Sequence, residues 1–302
     1  MEEYHNPVLL KESVDGLGVK PDGIYVDVTF GGGGHSREIL SRLGDKGRLF
    51  AFDQDPDAQR NIIDDSRFVL IQENFRYISR FLRFYGVIKV DGILGDLGVS
   101  SHQFNVAERG FSTRFDADLD MRMNKMDELS AYKVVNTYSE KKLSDVLFQY
   151  GELRNARALA AKISEERSVE RIVTSFRLKE VLQQFLPKAK EHKILAQIFQ
   201  AIRIEVNQEL EVLKKFLLQT PKLLNMDGRL SVISYHSLED RLVKRFIKNG
   251  LFEGEPEKDF YGNIDVPLKN IGKMIIPTHE EIKANNRARS AKLRIATPKK
   301  KK

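Results

Sequence analysis

Residues 24–36 read IYVDVTFGGGGHS, an apolar run followed by four consecutive glycines. The apolar run predicts a buried strand, and residues 36–43 predict a helix that stops at Gly44. Glycines at a strand-to-helix turn let the backbone approach a ligand closely, and the positive end of the helix favours an anionic group. The stretch therefore predicts the first strand and helix of an α/β domain, with a ligand at the turn.

Strand and helix patterns alternate on both sides of this loop. The predicted strands lie at 24–28, 48–53, 68–71, 90–94 and, much later, 228–235. Apolar strands that alternate with helices are typical of a parallel sheet covered by helices on both faces. We therefore expect a Rossmann-like α/β sheet.

Residues 104–206 interrupt the alternation, because they lack strand-like apolar runs and are rich in Arg, Lys, Glu and Ala. Helical patterns recur here, at 151–167, at 178–186 and, as one long amphipathic helix, at 195–217. Pro221 is predicted to end that helix. The simplest interpretation is an all-helical domain, 104–206, inserted between strands four and five of an α/β domain formed by 1–103 and 207–302.

In an open parallel sheet, ligands bind beyond the carboxyl ends of the strands. Asp53 ends the second strand about twenty residues after the glycine loop, where a carboxylate can accept both hydroxyls of a ribose. Phe75 follows the third strand, and its ring could lie against an adenine. Asp96 ends the fourth strand. This set predicts a site for a cofactor that contains adenosine.

The loop sequence discriminates between adenosine cofactors. A dinucleotide fingerprint needs a third glycine where this chain has Ser36, and no Lys-Ser/Thr pair follows the glycines as in a P-loop. Asp27 would repel a pyrophosphate, whereas it would attract the ammonium of a methionine tail. These features favour S-adenosyl-L-methionine. An NAD-dependent oxidoreductase is the disfavoured alternative, separable by which cofactor raises the melting temperature.

Composition excludes several classes of protein. The chain has no cysteine, which excludes disulfides and a thiolate nucleophile, and its six histidines never pair at metal-ligand spacing, so we expect no structural metal. No apolar run approaches the length of a membrane span, and the start MEEYHNPVLLKES has no apolar signal core. We expect a cytoplasmic protein without a membrane partner.

The positive charge is concentrated at the C-terminal end. The net charge is +7, and the segment from Lys283 to Lys302 carries basic residues but no acidic one. Such an end would attract a nucleic-acid backbone, although a solubilising tail is an equal alternative for the final lysines. The preceding SAKLRIATP alternates like a strand, so part of the segment is predicted to be folded.

Several long motifs resemble the bacterial 16S ribosomal RNA cytosine-N4 methyltransferases. They are YHNPVLLKE, DVTFGGGGHS, AFDQDPDA, DGILGDLGVSS, ERGFS, LDMRMN, RNARALA, AIRIEVNQEL and SVISYHSLEDRLVKRF, with further likeness at RARSAKLR. The resemblance runs from Tyr4 to about Phe246. Its one departure is the glycine loop, where many members carry a different residue among the glycines; contacts made by the backbone should survive this change.

The resemblance implies a class I methyltransferase sheet with a helical insert for substrate recognition. It implies N4-methylation of a cytidine in the decoding region of 16S ribosomal RNA, with the small ribosomal subunit as partner; a homodimer stays open. The donor contacts that it implies are Gly33, Gly34, His35, Asp53, Phe75, Asp96 and Gln103.

For the chemistry, Asp96 is the candidate catalytic residue, because an acceptor on the N–H of the exocyclic amine would help to localise its lone pair. A flipped base also needs an aromatic surface. Phe104, Phe111, Tyr235 and His236 are the candidates, and we hypothesise that Tyr235 or His236 borders the cytosine. Ser237, with Asp240 three residues on, is the predicted cap of the helix that follows.

Basic residues of the insert are candidates for contacts with RNA phosphates: Arg154, Arg157, Arg171 and Arg177. For any single one of them, a solvated helix face is the better explanation. Arg203 and Asn207 lie on the polar side of the long helix and are expected near the cleft. Two other functions stay open: a methyltransferase of the same fold that acts on a DNA or protein amine, and an RNA-binding module that senses a nucleotide without turnover.

Overall fold

The computed structural model describes residues 7–262 and 264–300, so residues 4–6 of the first motif and lysines 301–302 lie outside the described residues. The chain forms two compact units, Met1–Gly98 with Leu210–Lys302 and Val99–Glu209. The boundaries between the units, 98/99 and 209/210, lie within a few residues of the predicted boundaries, 103/104 and 206/207. Val99 packs against the core of the second unit, and Glu209 is paired with Arg203 at 2.8 Å, which explains why these flanking residues belong to it.

The first unit is built on a sheet that has seven strands within the described residues. They are β1 (Ile24–Asp27), β2 (Arg48–Phe52), β3 (Phe68–Ile71), β4 (Val90–Asp96), β5 (Leu224–Ser234), β6 (Leu268–Asn270) and β7 (Lys292–Pro298). Their order is β3-β2-β1-β4-β5-β7-β6. The first five are parallel, and β7 runs antiparallel to both β5 and β6. The Rossmann-like α/β fold is confirmed, and SAKLRIATP forms the predicted strand. β6 was not predicted.

The helices follow the strands as expected from the alternation. In chain order they are α1 (Leu10–Leu17), α2 (Gly34–Arg42), α3 (Ile78–Phe84), α4 (Ser101–Asn105), α5 (Ala131–Thr137), α6 (Glu140–Gln149), α7 (Ala156–Val169), α8 (Ser175–Val181), α9 (Glu191–Asn207), α10 (Glu209–Leu223), α11 (Ser237–Asn249) and α12 (His279–Ala284).

Apolar side chains cover both faces of the sheet. Val14 of α1 and Ile39 of α2 pack with strand residues in one cluster, whereas Leu82 of α3, Phe216 of α10 and Phe246 of α11 belong to another. All five are essentially inaccessible to solvent. Burial on this scale holds the strand ends in fixed positions, which is what a site at the carboxyl edge requires.

The second unit consists mainly of α4 to α9 around its own apolar core, which includes Leu147, Leu159 and Ile202. These elements lie between β4 and β5 in the chain. Within the described residues, none of the helices in either unit combines the length and apolar character needed to cross a membrane.

The prediction of one long helix ended by Pro221 was wrong. The chain breaks at Gln208, whose φ is +52°, and forms α9 and α10 instead. A single left-handed residue leaves the three-to-four spacing of apolar positions intact, so the pattern does not reveal the break. α10 also continues through Pro221 to Leu223, because the carbonyl of Leu217 accepts the Thr220 hydroxyl at 2.8 Å in place of the N–H that proline lacks.

Candidate active site

A buried carboxylate organises the glycine loop. Asp27, at the end of β1, has no exposed surface, and its Oδ2 accepts the Ser36 hydroxyl at 2.7 Å. Its Oδ1 accepts the Thr29 backbone N–H at 3.0 Å. Burial raises the pKa of Asp27, and nearby His35 and the Ser36 hydrogen bond oppose that rise. Asp27 and Ser36 are therefore partners that fasten the first turn of α2 to β1, and Asp27 has no surface open to a ligand.

Three of the four loop glycines occupy positions where a larger residue would be strained or would clash. Gly31 and Gly33 have φ values of +49° and +76°, in the left-handed region that favours glycine. A Cβ on Gly34 would lie 2.1 Å from the ring of Pro7. Gly32 is different: it is exposed, its φ is not positive, and a Cβ there would meet nothing within 4 Å. The space over Gly32 is open at the start of α2, where a ligand would lie.

The second strand end is tied to the loop by Asp53. Its Oδ2 accepts the Gly31 N–H and its Oδ1 accepts the Asp55 N–H, both at 2.8 Å. Burial raises its pKa to about 6, against the effect of these two hydrogen bonds. A carboxylate can accept about four hydrogen bonds, so both oxygens retain capacity for a ribose hydroxyl.

Phe75 begins a short 3₁₀ helix after β3. Asn74 caps this turn, and its amide donates to the Gln54 side chain at 2.6 Å, which joins the loops after β2 and β3. The Phe75 ring stands edge-on to Phe216 with centroids 5.3 Å apart and is only partly buried. The ring is thus held from one side and retains exposed surface.

Asp96 lies at the end of β4, where it accepts one hydrogen bond and donates another. Its Oδ1 accepts the Tyr235 hydroxyl at 2.7 Å, and its backbone N–H donates to Thr29 Oγ1 at 2.6 Å. Its Oδ2 lies 3.9 Å from His35 Nδ1. Burial raises the pKa of Asp96 to about 6, and the proximity of His35 and the Tyr235 hydrogen bond limit the rise. The side chain is 24% exposed, so it can meet a substrate.

Tyr235 and His236 have separate roles in the structure. His236 is the N-cap of α11 and forms a capping box with Glu239, so the predicted cap at Ser237 with Asp240 was wrong by one residue. Buried Glu239 accepts the backbone N–H of Tyr235 at 2.9 Å. Only Tyr235 of the two candidates bonds directly to Asp96.

Pattern reading missed the roles of Thr29 and Glu239. Thr29 links the glycine loop to the Asp96 backbone, and Glu239 fixes the backbone that carries Tyr235. The H-x-x-E spacing from His236 to Glu239 was a usable signal for a capping box, but histidine is not among the usual N-cap residues. Nothing in the sequence pointed to Thr29 over its neighbours.

The remaining predicted donor contact, Gln103, belongs to the helical unit. Its Oε1 accepts the Ser100 N–H at 3.1 Å and its own N–H donates to Ser100 Oγ, which forms the capping box of α4. Phe111 is buried in the core of this unit, so it is not a stacking surface, whereas Phe104 packs only partly against that core. The contact predicted for Gln103 stays a prediction.

Two of the four basic candidates of the helical unit have structural partners. Arg171 donates to the Asn136 carbonyl at 2.8 Å, and Arg177 pairs with Glu166 at 3.1 Å. Arg154 and Arg157 are exposed and have no partner among the described residues. For Arg171 and Arg177, the internal contacts explain the charge without RNA.

Arg203 and Asn207, which were expected near the cleft, have partners within the same unit. Asn207 is buried; it accepts the Met123 N–H at 2.7 Å and donates to the Met121 carbonyl at 2.8 Å. Arg203 makes two hydrogen bonds to Glu209 at 2.8 and 2.9 Å. Asn207 thus connects distant parts of the helical unit, whereas Arg203 pairs across the break between α9 and α10.

Comparisons with known proteins agree over nearly the whole chain. The model of the MraW methylase family matches residues 2–299. Proteins named ribosomal RNA small subunit methyltransferase H from Christiangramia forsetii and Flavobacterium johnsoniae are 70% and 69% identical over 294 residues, covering 97% of each chain. The protein of that name from Bacteroides fragilis is 55% identical over 297 residues, covering 98% of each chain. Among solved structures, an rRNA methylase from Streptococcus thermophilus covers 99% of both chains with a TM-score of 0.40 and 11% identity.

Proposed function

The chain belongs to the MraW methylase family, and we propose that it transfers a methyl group from S-adenosyl-L-methionine to the N4 amine of one cytidine in the decoding region of 16S ribosomal RNA. The names of the relatives support a small-subunit RNA substrate. The long motifs shared with the cytosine-N4 enzymes support the amine as the acceptor. The observation that carries the chemistry is the partly exposed Asp96 carboxylate, held by Tyr235 beside the glycine loop.

The residues at the carboxyl edge of the sheet fit the methyl donor. The open space over Gly32 and the N-terminus of α2 suit the carboxylate of a methionine tail. Asp53 has free acceptor capacity for ribose hydroxyls, and Phe75 has exposed ring surface for an adenine. Bound in this position, S-adenosyl-L-methionine would supply an electrophilic methyl group, and its methyl–sulfur bond would break to leave a neutral thioether.

Asp96 is suited to hold and deprotonate the amine. With a pKa of about 6 it is ionised at neutral pH, so its Oδ2 can accept an N–H of the cytosine amine while Oδ1 remains bonded to Tyr235. This contact localises the nitrogen lone pair that forms the new N–C bond. The methylated amine then carries one proton too many, and Asp96 can take it because a base with a pKa near the working pH transfers protons efficiently.

The helical unit is proposed to recognise the RNA. Arg154 and Arg157 are exposed without partners among the described residues, so their charges are available to phosphate oxygens. Such contacts position a substrate without specifying its sequence. We place the enzyme in the cytoplasm with the small ribosomal subunit, and its assembly as a homodimer is a separate prediction that light scattering would test.

The decisive experiment is mass mapping of small-subunit RNA from cells with and without the protein, combined with labelled donor added to RNA, DNA and protein fractions. We expect one methylated cytidine in 16S RNA that disappears without the protein. Label in DNA or protein, with none in 16S RNA, would instead identify the alternative methyltransferase. No label in any fraction would support a binding module.

The catalytic role of Asp96 needs a matched control. Asp96→Asn should abolish transfer while donor affinity and melting temperature change little. Asp91→Asn is the control, because Asp91 lies on the same strand, β4, but at its amino end. Normal turnover by Asp96→Asn would contradict the proposed role.

A further inference from the structure

A pocket of about 280 Å³ opens beside the proposed catalytic carboxylate. Tyr235 and His236, at the carboxyl end of β5, form one wall, and Ile276 and Pro277 form another. Tyr235 is shared, because the same side chain donates its hydroxyl to Asp96 at 2.7 Å. The pocket therefore begins one side chain away from the point at which the target amine is proposed to bind.

The charge of the pocket is positive. Arg289 and Lys292 line it, and no carboxylate is among its described lining residues. Arg289 is exposed and has no hydrogen bond or ion pair among the described residues. Lys292 lies 3.5 Å from Asp240, but Arg294 already binds that carboxylate with contacts of 2.7 and 3.2 Å. Asp96, Glu239 and Glu281 act on Tyr235, so the positive charge is confined to the part of the pocket at Arg289 and Lys292, and this part suits a phosphate group.

The apolar wall and the size of the pocket suit one planar base. Ile276 is 61% exposed, so its side chain is open to contact with a base, and buried Pro277 follows it in the chain. The volume lies just below the lower end of the range for ligand pockets, about 300 Å³, so the pocket has room for one base and not for a longer segment. The positive end of the α11 dipole lies at the same wall, since Ser237 also lines the pocket.

We propose that this pocket binds the nucleotide adjacent to the target cytidine in the RNA chain, with its phosphate at Arg289 and Lys292 and its base against Ile276. The proposal rests on the proposed function, because an RNA strand that delivers a base to Asp96 must continue along the neighbouring surface. It assigns part of the basic C-terminal end to a defined subsite. The remaining basic residues of that end need not contact RNA directly; Arg294, for example, binds Asp240.

Arg289→Ala is the central test, because the side chain holds no other group in place. The KM for small subunits should rise about tenfold, with kcat within twofold and donor affinity unchanged. The slope of log affinity against log salt should fall by about one. Lys46→Ala is the control: Lys46 is exposed in the turn before β2, at the opposite edge of the sheet, and its loss should change none of these values. The subsite would be overturned if the two variants had equal effects. It would also be overturned if Arg289→Ala changed neither the KM nor the salt slope.

Ile276→Ser separates the base contact from the phosphate contact. It should weaken binding severalfold and leave the salt slope unchanged, because no charge is removed. Fluorescence anisotropy with a labelled single-stranded RNA measures both variants without any methyl transfer. If the wild type binds this RNA through Arg289 and Ile276 but methylates no 16S RNA, the proposed function fails, and the assignment of the pocket to the neighbour of a target cytidine fails with it, although the pocket still binds RNA. If methylation is normal and both variants bind like the wild type, the subsite fails alone.

Discussion

Tyr235→Phe should shift the pH dependence of methyl transfer. The substitution removes the hydroxyl that donates to Asp96 Oδ1 at 2.7 Å and leaves the ring in place. That hydrogen bond stabilises the ionised carboxylate and so lowers the pKa of Asp96, which burial has raised to about 6. Without it, the pKa must rise further. Since only ionised Asp96 can accept the amine N–H, activity should be lost at a higher pH as the solution is acidified.

The size of the shift follows from the strength of one hydrogen bond. A hydrogen bond to a charged group contributes about 1.5–3 kcal/mol, and one pKa unit corresponds to about 1.4 kcal/mol. Asp96 is 24% exposed, so solvent screening favours the lower end of that range and a rise of about one unit. The acid limb should therefore move from about 6 to about 7. At pH 6.5 this lowers the ionised fraction about threefold, whereas at pH 9 both proteins are fully ionised.

The assay is kcat/KM for labelled methyl transfer to small subunits between pH 5 and about pH 9, because this ratio reports the free enzyme. Tyr138→Phe is the matched control, since Tyr138 donates to Glu205 at the same distance, 2.7 Å, within the helical unit. Its profile should match the wild type. An unshifted acid limb in Tyr235→Phe, or an equal shift in both variants, would refute the assignment of the limb to Asp96.

Four substitutions test the loop and the strand end next to it. Gly34→Ala should destabilise the protein by about 1–3 kcal/mol, because its Cβ would lie 2.1 Å from a proline ring. Gly32→Ala should leave stability unchanged and weaken donor binding, because its Cβ would occupy open space at the start of α2. Urea unfolding measures the stability of each variant, and calorimetry measures its donor affinity. Ser36→Ala leaves one oxygen of buried Asp27 without its partner and should cost about 1–3 kcal/mol of unfolding free energy. Asp53→Asn should weaken donor binding at least about tenfold in calorimetry; unchanged affinity would exclude a ribose contact.

The α/β unit was predictable because its strands are buried on both faces. Such strands read as continuous apolar runs, and the alternation with helices implies parallel order. The positions of Asp53 and Asp96 at the carboxyl edge followed from that order alone. β6 could not be predicted, because Leu268–Asn270 is three residues long and has only one buried side chain, so the sequence shows no alternation of apolar and polar residues there.

The errors arose where one residue decides the local backbone. Gln208 ends α9 in a left-handed conformation, which would have been predicted only if the residue were glycine or asparagine. In α10, the Thr220 hydroxyl donates to the Leu217 carbonyl, which Pro221 leaves without an N–H donor. At α11, Ser237 is the commoner cap, yet His236 fills that position because Glu239 lies three residues on and returns the hydrogen bond. Local propensity gives the existence of these helices but not their ends, since the ends depend on single side-chain contacts.

The glycine loop illustrates how a motif can mislead about mechanism and still indicate the correct cofactor class. From the sequence, Asp27 and Ser36 were two separate arguments against a pyrophosphate ligand, and Asp27 was expected to attract the ammonium group of the donor. The structure joins them in one buried hydrogen bond, so Asp27 acts on the loop and not on a ligand. A third glycine at position 36 would have no hydroxyl for that carboxylate. The serine is therefore the residue that makes a buried aspartate tolerable at this strand end, and the broken dinucleotide pattern is a consequence of how the loop is held.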